Sequence, residues 1–270
     1  MEVCLQCHLG TQDRFATHRI MGAGHPRLRF ELDTFTANQP AHFTVDADYV
    51  RRKGRVEDVN LWVSGQMQGA LRFVTLMQGP YFHSENMMPE FSFYDCYSCH
   101  HPIDKDNLRW TSQRAGPGIP PGTLRVQKAQ LVMLEALADA TGSPDAAQQL
   151  SQATASLVEA GQRDIGQAKA AAAKVAEWLR AHEGWETRAY SRAETEQLRK
   201  ELLRYGAADK AGDFLTAEQV VLGVESLSYG LGDHDRRKAA MDALYDTVKS
   251  NVTFNPGKFG EVCRTLQGQF

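Results

Sequence analysis

Two short stretches, Cys4-Leu5-Gln6-Cys7-His8 and Cys96-Tyr97-Ser98-Cys99-His100, share the spacing Cys-x-x-Cys-His. The spacing lets two thiols bridge one edge of a rigid macrocycle while the next residue turns its imidazole beneath the centre. This is the pattern of covalent c-type haem attachment. With 5 Cys and 9 His in 270 residues, chance placement gives about 0.003 copies per chain, and a pair on the order of one in a hundred thousand. The chain is therefore expected to fold around two haem c groups. Cys4, Cys7, Cys96 and Cys99 are the predicted attachment points, and His8 and His100 the proximal iron ligands.

Each iron then has a second axial position, and its occupant decides the chemistry. A histidine gives a low-potential carrier, a methionine raises the potential, and an open position admits small molecules. Seven of the nine histidines lie within the first 101 residues, and this clustering with the two motifs predicts distal histidine ligation. His25, directly before Pro26 and so read as the residue that starts a helix, is the first candidate. His18 is the second. His42, His83 and His101 are further candidates, with His101 placed to serve a neighbouring haem or a propionate. Met21, Met67, Met77, Met87 and Met88 are the thioether alternatives, although methionine more commonly fills gaps in a core.

The remaining chain reads as mainly α: a loop-rich haem-binding segment with short helices, then a helical bundle, with little or no sheet. Residues 1–115 form the dihaem segment, 116–122 a Pro/Gly-rich linker, and 123–270 the helical region. Leu28, Leu32 and Phe35 predict a helix over 26–37, residues 38–58 a connector, and the apolar pattern of 60–77 a longer helix whose Gly65, Gly69 and Ala70 allow a close neighbour. Phe91, Phe93 and Tyr94 are positioned to wall a haem pocket or to join the core. Ser143-Pro144 starts an Ala-rich helix running to about 181, with a break near Gly161 or Gly166. Ser191-x-x-Glu194 and Thr216-x-x-Gln219 read as capping boxes.

The sequence Thr17-His18-Arg19-Ile20-Met21-Gly22-Ala23-Gly24-His25-Pro26-Arg27-Leu28-Arg29-Phe30-Glu31-Leu32 precedes Leu61-Trp62-Val63-Ser64-Gly65-Gln66 and then Tyr94-Asp95-Cys96-Tyr97-Ser98-Cys99-His100-His101-Pro102. Over residues 4 to about 115 this order resembles the exported multihaem c-type cytochromes of bacteria related to the tetrahaem cytochromes of nitrification. The resemblance implies an electron-transfer module with closely packed haems, redox proteins and other haem domains as partners, and distal roles for His18 and His25. Members of that family carry a signal peptide and further haem motifs upstream. The expectation here is a periplasmic or otherwise exported protein whose signal peptide, with any further haem sites, precedes this stretch.

Composition narrows the alternatives. A formal charge of −3 offers no basic footprint for nucleic acid, and haem propionates would add negative charge. No apolar run is long enough to span a membrane. Structural zinc would need the two cysteine pairs in one ribbon, but Cys7 and Cys96 are separated far beyond ribbon spacing, and zinc gives histidine no reason to follow both pairs. Thioredoxin-like chemistry lacks its βαβ surroundings. The remaining competitor keeps the haems but makes the protein an oxidoreductase acting on a small nitrogen or sulfur compound at an open iron.

Overall fold

The computed structural model describes residues 2–27, 30–40, 44–53, 58–83, 89–100 and 123–270. Among the described residues there are twelve α-helices and no strand, so the fold is mainly α. Five helices precede the second motif: α1 (Glu2–His8), α2 (His18–Gly22), α3 (Leu32–Asn38), α4 (Ala47–Lys53) and α5 (Asp58–Gln78). Seven come after it: α6 (Ala129–Ala140), α7 (Pro144–Ala160), α8 (Ile165–Ala181), α9 (Arg192–Ala207), α10 (Phe214–Gly230), α11 (Lys238–Thr247) and α12 (Pro256–Leu266). The predicted linker at 116–122 lies outside the described residues, as do Leu28, His42, Met87, Met88 and His101. Among the described residues no helix is long and apolar enough to cross a membrane.

Helix α5 joins the N-terminal segment to the rest. Val59, Trp62, Val63, Met67, Ala70, Val74 and Met77 recur at three- and four-residue spacing and are all buried, as a helix with one broad apolar face requires. That face packs on α6, α8 and α10, while α3 crosses another side of the helix. The small residues serve these contacts. A Cβ on Gly65 would sit 2.7 Å from the Cβ of Leu32 in α3, and one on Gly69 3.4 Å from the side chain of Gln130 in α6. Both glycines thus admit neighbouring helices. One hydrophobic cluster runs from α5 through α6 to α12, and a smaller one gathers Leu5 of α1 with Phe30 and Leu32.

Helix α10 is buried on nearly every side, the signature of a central helix in an all-α fold. Trp62, fully buried, lies against it where Gly223 leaves room: a Cβ there would be 3.0 Å from the indole Nε1. The chain reaches its end with Asn255 capping α12 and Phe259, Cys263 and Leu266 buried under α9.

Several helix boundaries differ from the predicted ones, for local reasons. No helix forms at 25–27 or 30–31; α3 begins at Leu32, so His25 and Pro26 do not start it. Glu31 starts it instead, its carboxylate accepting from the backbone N–H of Asp33 (3.1 Å) and Thr34 (2.7 Å). A carboxylate facing the orphan amides of a first turn is a stronger start than a proline alone. The predicted connector holds α4, started by Asp46, whose carboxylate accepts from Tyr49 N. Thr216 is not a cap: Asp213 begins α10, accepting from both the amide and the hydroxyl of Thr216 at 2.8 Å. The Ala-rich stretch is two helices, α7 and α8, parted at Gly161. The capping box at Ser191 and Glu194 forms as read.

Candidate functional site

Both Cys-x-x-Cys-His stretches adopt helical turns. In α1 the residues Cys4, Cys7 and His8 occupy positions i, i+3 and i+4, which share a helix face. Gly10 then turns the chain back with φ +88°, its α-carbon so close to the loop after it that a Cβ would meet the carbonyl oxygen of Arg14 at 2.9 Å. The His8 ring stacks on Phe30 with centroids 4.7 Å apart and meets the edge of Phe35 at 5.6 Å. The smaller apolar cluster therefore forms the surroundings of His8.

The second motif is a single tight turn. The Cys96 carbonyl accepts from Cys99 N at 3.2 Å and from His100 N at 2.8 Å, which again brings Cys96, Cys99 and His100 to one side. Ser98 closes on Asp95 through its amide (3.1 Å) and hydroxyl (3.1 Å). This turn is held by its approach segment. Phe93 O accepts from Gln127 N (3.0 Å), Asp95 N donates to Arg125 O (2.7 Å), and Tyr94 pairs with Val126 in an isolated antiparallel bridge. The Tyr94 hydroxyl donates to Gly161 O at 2.8 Å. Phe93 is fully buried among Phe15, Phe73 and Phe82. Of the three aromatic residues expected to wall a pocket or join the core, Phe93 and Tyr94 are core, whereas Phe91 is exposed and faces His18.

His18 is the residue the fold brings to this motif. Its ring centroid lies 6.3 Å from that of His100, with the planes inclined by 32°. Two imidazoles bound to one metal at about 2.0 Å, with each ring centre about 1.2 Å beyond its nitrogen, have centres about 6.4 Å apart. The observed separation matches that of an axial pair, and both rings are exposed beside exposed Cys99. The residues at this motif fit a c-type haem: two thiols in one tight turn, and two imidazoles whose centres lie 6.3 Å apart, a separation compatible with ligation of one iron from both sides.

The other predicted ligands are less gathered. His25 is exposed on the loop after α2, its Nδ1 2.6 Å from Pro26 O; donation to that carbonyl would leave Nε2 as the nitrogen available to a metal. His83 is exposed just beyond α5. Met67 and Met77 are buried in the main hydrophobic cluster and Met21 is half-buried on α2. Among the described residues no group of three or more His, Cys, Asp and Glu side chains converges; a c-type haem, which binds iron through a porphyrin and axial residues, does not require one.

The thiols bear on the alternatives. Burial, and after it the neighbouring Asp95 carboxylate, pushes both Cys96 and Cys99 above the ordinary thiol range, and the Arg27 cation draws Cys96 only part of the way back. A disulfide oxidoreductase needs a thiolate stabilised well below that range. Neither sulfur has that character.

Sequence reasoning passed over three residues that organise this region. Arg27 binds Glu218 of α10 at 2.6 Å and lies 5.0 Å over the Phe214 ring, which fixes the loop bearing His25 to the central helix. Phe30 carries His8, and Glu90 accepts from His18 N. Arg27 and Phe30 fall within the Thr17–Leu32 stretch that carries the family resemblance, which was the available signal; Glu90 had none. No family model, curated protein or solved structure matches this chain.

Proposed function

We propose that this chain is an electron-transfer unit of a multihaem c-type cytochrome, with one haem on Cys4 and Cys7 and one on Cys96 and Cys99. The 6.3 Å approach of His18 to His100 carries the reading, because it is the separation that two imidazoles ligating one iron from opposite sides would have. The repeated motif and the resemblance of residues 4–115 to exported multihaem cytochromes also support it. When bound, the haems supply a one-electron couple whose potential follows axial ligand, burial and nearby hydrogen bonds.

The chain's own residues hold this arrangement. His8 and His100 are the proximal ligands, His18 closes the second iron, and His25, with Nδ1 engaged by Pro26 O, is the candidate for a further distal position. The segment 90–95, bound to 125–127, keeps the second turn rigid and so limits reorganisation on electron transfer. The donor and acceptor are redox proteins, and the compartment is the periplasm or another exported location.

Visible and paramagnetic-resonance spectra of the oxidised and reduced holoprotein test this reading. The expected result is low-spin iron at the Cys96/Cys99 haem, reversible one-electron reduction, and no carbon monoxide binding at that haem. High-spin iron that binds carbon monoxide there would overturn the His18 assignment and favour catalysis at an open site.

A further inference from the structure

We infer that Glu90 is the positioning residue that latches His18 over the second attachment site, and so sets whether the iron there is closed by histidine or open to a small ligand. The inference rests on reading His18 and His100 as an axial pair.

His18 begins α2, a helix of five residues, none of them buried. Such a helix has almost no nucleation strength of its own and no apolar face to hold it. Its principal anchorage is polar and centres on one side chain. Oε1 of Glu90 accepts from His18 N at 2.6 Å and from Ser92 N at 3.0 Å, and the Ser92 hydroxyl lies 2.8 Å from it. The same hydroxyl is 2.9 Å from Ala16 O, so its single proton bridges either partner. One carboxylate oxygen thus ties residues 16–18 to residues 90–92. Three residues after Ser92 the chain enters Asp95 and Cys96, fixed in turn to Arg125.

The other contacts of α2 are weaker. Thr17 caps it with a 3.3 Å bond to Ile20 N, and the Phe91 edge meets the His18 ring at 5.5 Å. Phe15, stacked on Phe93 at 4.9 Å, holds the chain three residues upstream but leaves His18 itself free to swing. With the Glu90 carboxylate removed, His18 N loses its acceptor, and only these weaker contacts hold α2 against the motif turn. The imidazole would then leave the iron in a fraction of molecules, although the haem stays attached through Cys96 and Cys99.

The test uses the exported holoprotein with both haems, counts covalent haem by denaturing mass, and titrates the ferrous protein with carbon monoxide. H18A is expected to turn one haem of the two from inert to CO-binding and its ferric form to high spin. E90A is expected to do the same in part or in full, whereas E90Q, which keeps an amide oxygen as acceptor, remains near the wild-type level. If E90A fails to mature, E90S, which keeps a polar side chain but shortens it away from His18 N, carries the comparison and is expected to open the same haem.

An E90A protein (or, in its place, E90S) that stays low-spin and inert while H18A opens the site would overturn the latch and leave the ligand assignment standing. An H18A protein that stays closed would overturn the assignment and the latch together. Opening by E90A and E90Q alike would also count against the latch, since it would show that the charge, and not the bond to His18 N, is what matters.

Discussion

Gly10 shows how a single residue constrains the first motif. Its φ of +88° and the 2.9 Å approach to Arg14 O leave no space or conformation for a side chain, so the turn that brings the chain back from α1 needs glycine. G10A is expected to lower stability by about 1–2 kcal/mol, through strain at positive φ plus the close contact; chemical denaturation checks it, and an unchanged midpoint would contradict the account. Asp233 makes a different case. Burial alone would raise its carboxyl, but Arg199, at 2.6 Å and itself buried, and then Arg237 hold it below its ordinary value of 3.8. Its contribution to stability is therefore complete above the unfolded carboxyl range and is lost as pH falls through the lower folded value. D233A leaves Arg199 buried without its counter-ion and is expected to cost about 3–5 kcal/mol at neutral pH, with a smaller difference from wild type in acid. Urea titrations at several pH values measure this; a cost that grows on acidification would contradict it. At this scale the sequence displayed the motif cysteines and histidines clearly, because the proposed haem attachment demands a fixed spacing. It held no sign of Glu90 or Asp233, whose importance comes from partners 72 and 34 positions away.

At the scale of elements, legibility depended on how local the deciding interaction is. The α5 pattern, the Ser191–Glu194 capping box and the break at Gly161 are written in neighbouring residues, and the structure has all three. Misreadings arose where two start signals competed. Pro26 fitted a first helical position, but Glu31 offers a carboxylate to the amides of Asp33 and Thr34 and so starts the helix at Leu32. Thr216-x-x-Gln219 matched a capping box, yet Asp213 three residues earlier caps α10 and takes the Thr216 amide for itself. Removing the Ser191 hydroxyl breaks one half of a reciprocal cap, so S191A is expected to cost about 1 kcal/mol, read as a shift in thermal midpoint; no shift would mean that packing of α9 alone fixes its start. Trp62 joins two elements at once. W62A removes a fully buried indole from the α5–α10 contact, with an expected loss of about 3–5 kcal/mol. A loss under about 1 kcal/mol would show that the two helices collapse into the space.

For the whole molecule, the expected division into a proposed haem-binding segment and a helical region follows where motifs and composition change along the sequence. The packing has no matching seam between α5 and the helices α6 to α12. The main hydrophobic cluster contains Trp62, Met67, Val74, Phe82 and Phe93 together with side chains from α6 to α12, and Arg27 is bound to Glu218. The C-terminal region thus backs the second motif turn through residues 125–127, while the first rests on the smaller cluster of Leu5, Phe30 and Leu32, a division the sequence did not display because it depends on which faces meet. A fragment ending at residue 122 would expose the apolar face of α5 and lose the 125–127 segment that pins the second turn. It is expected to be protease-sensitive and weakly helical by circular dichroism, and a cooperatively folded fragment would contradict the single shared core.

The central claim is that two covalent haems organise this architecture, and intact mass under denaturing conditions tests it most directly. The protein would be exported, behind a signal sequence, from a host equipped for c-haem maturation. The account predicts a mass increase of two haems that survives denaturation, falling to one in a C96A/C99A variant. A full-length exported protein that carries no covalent haem would contradict it.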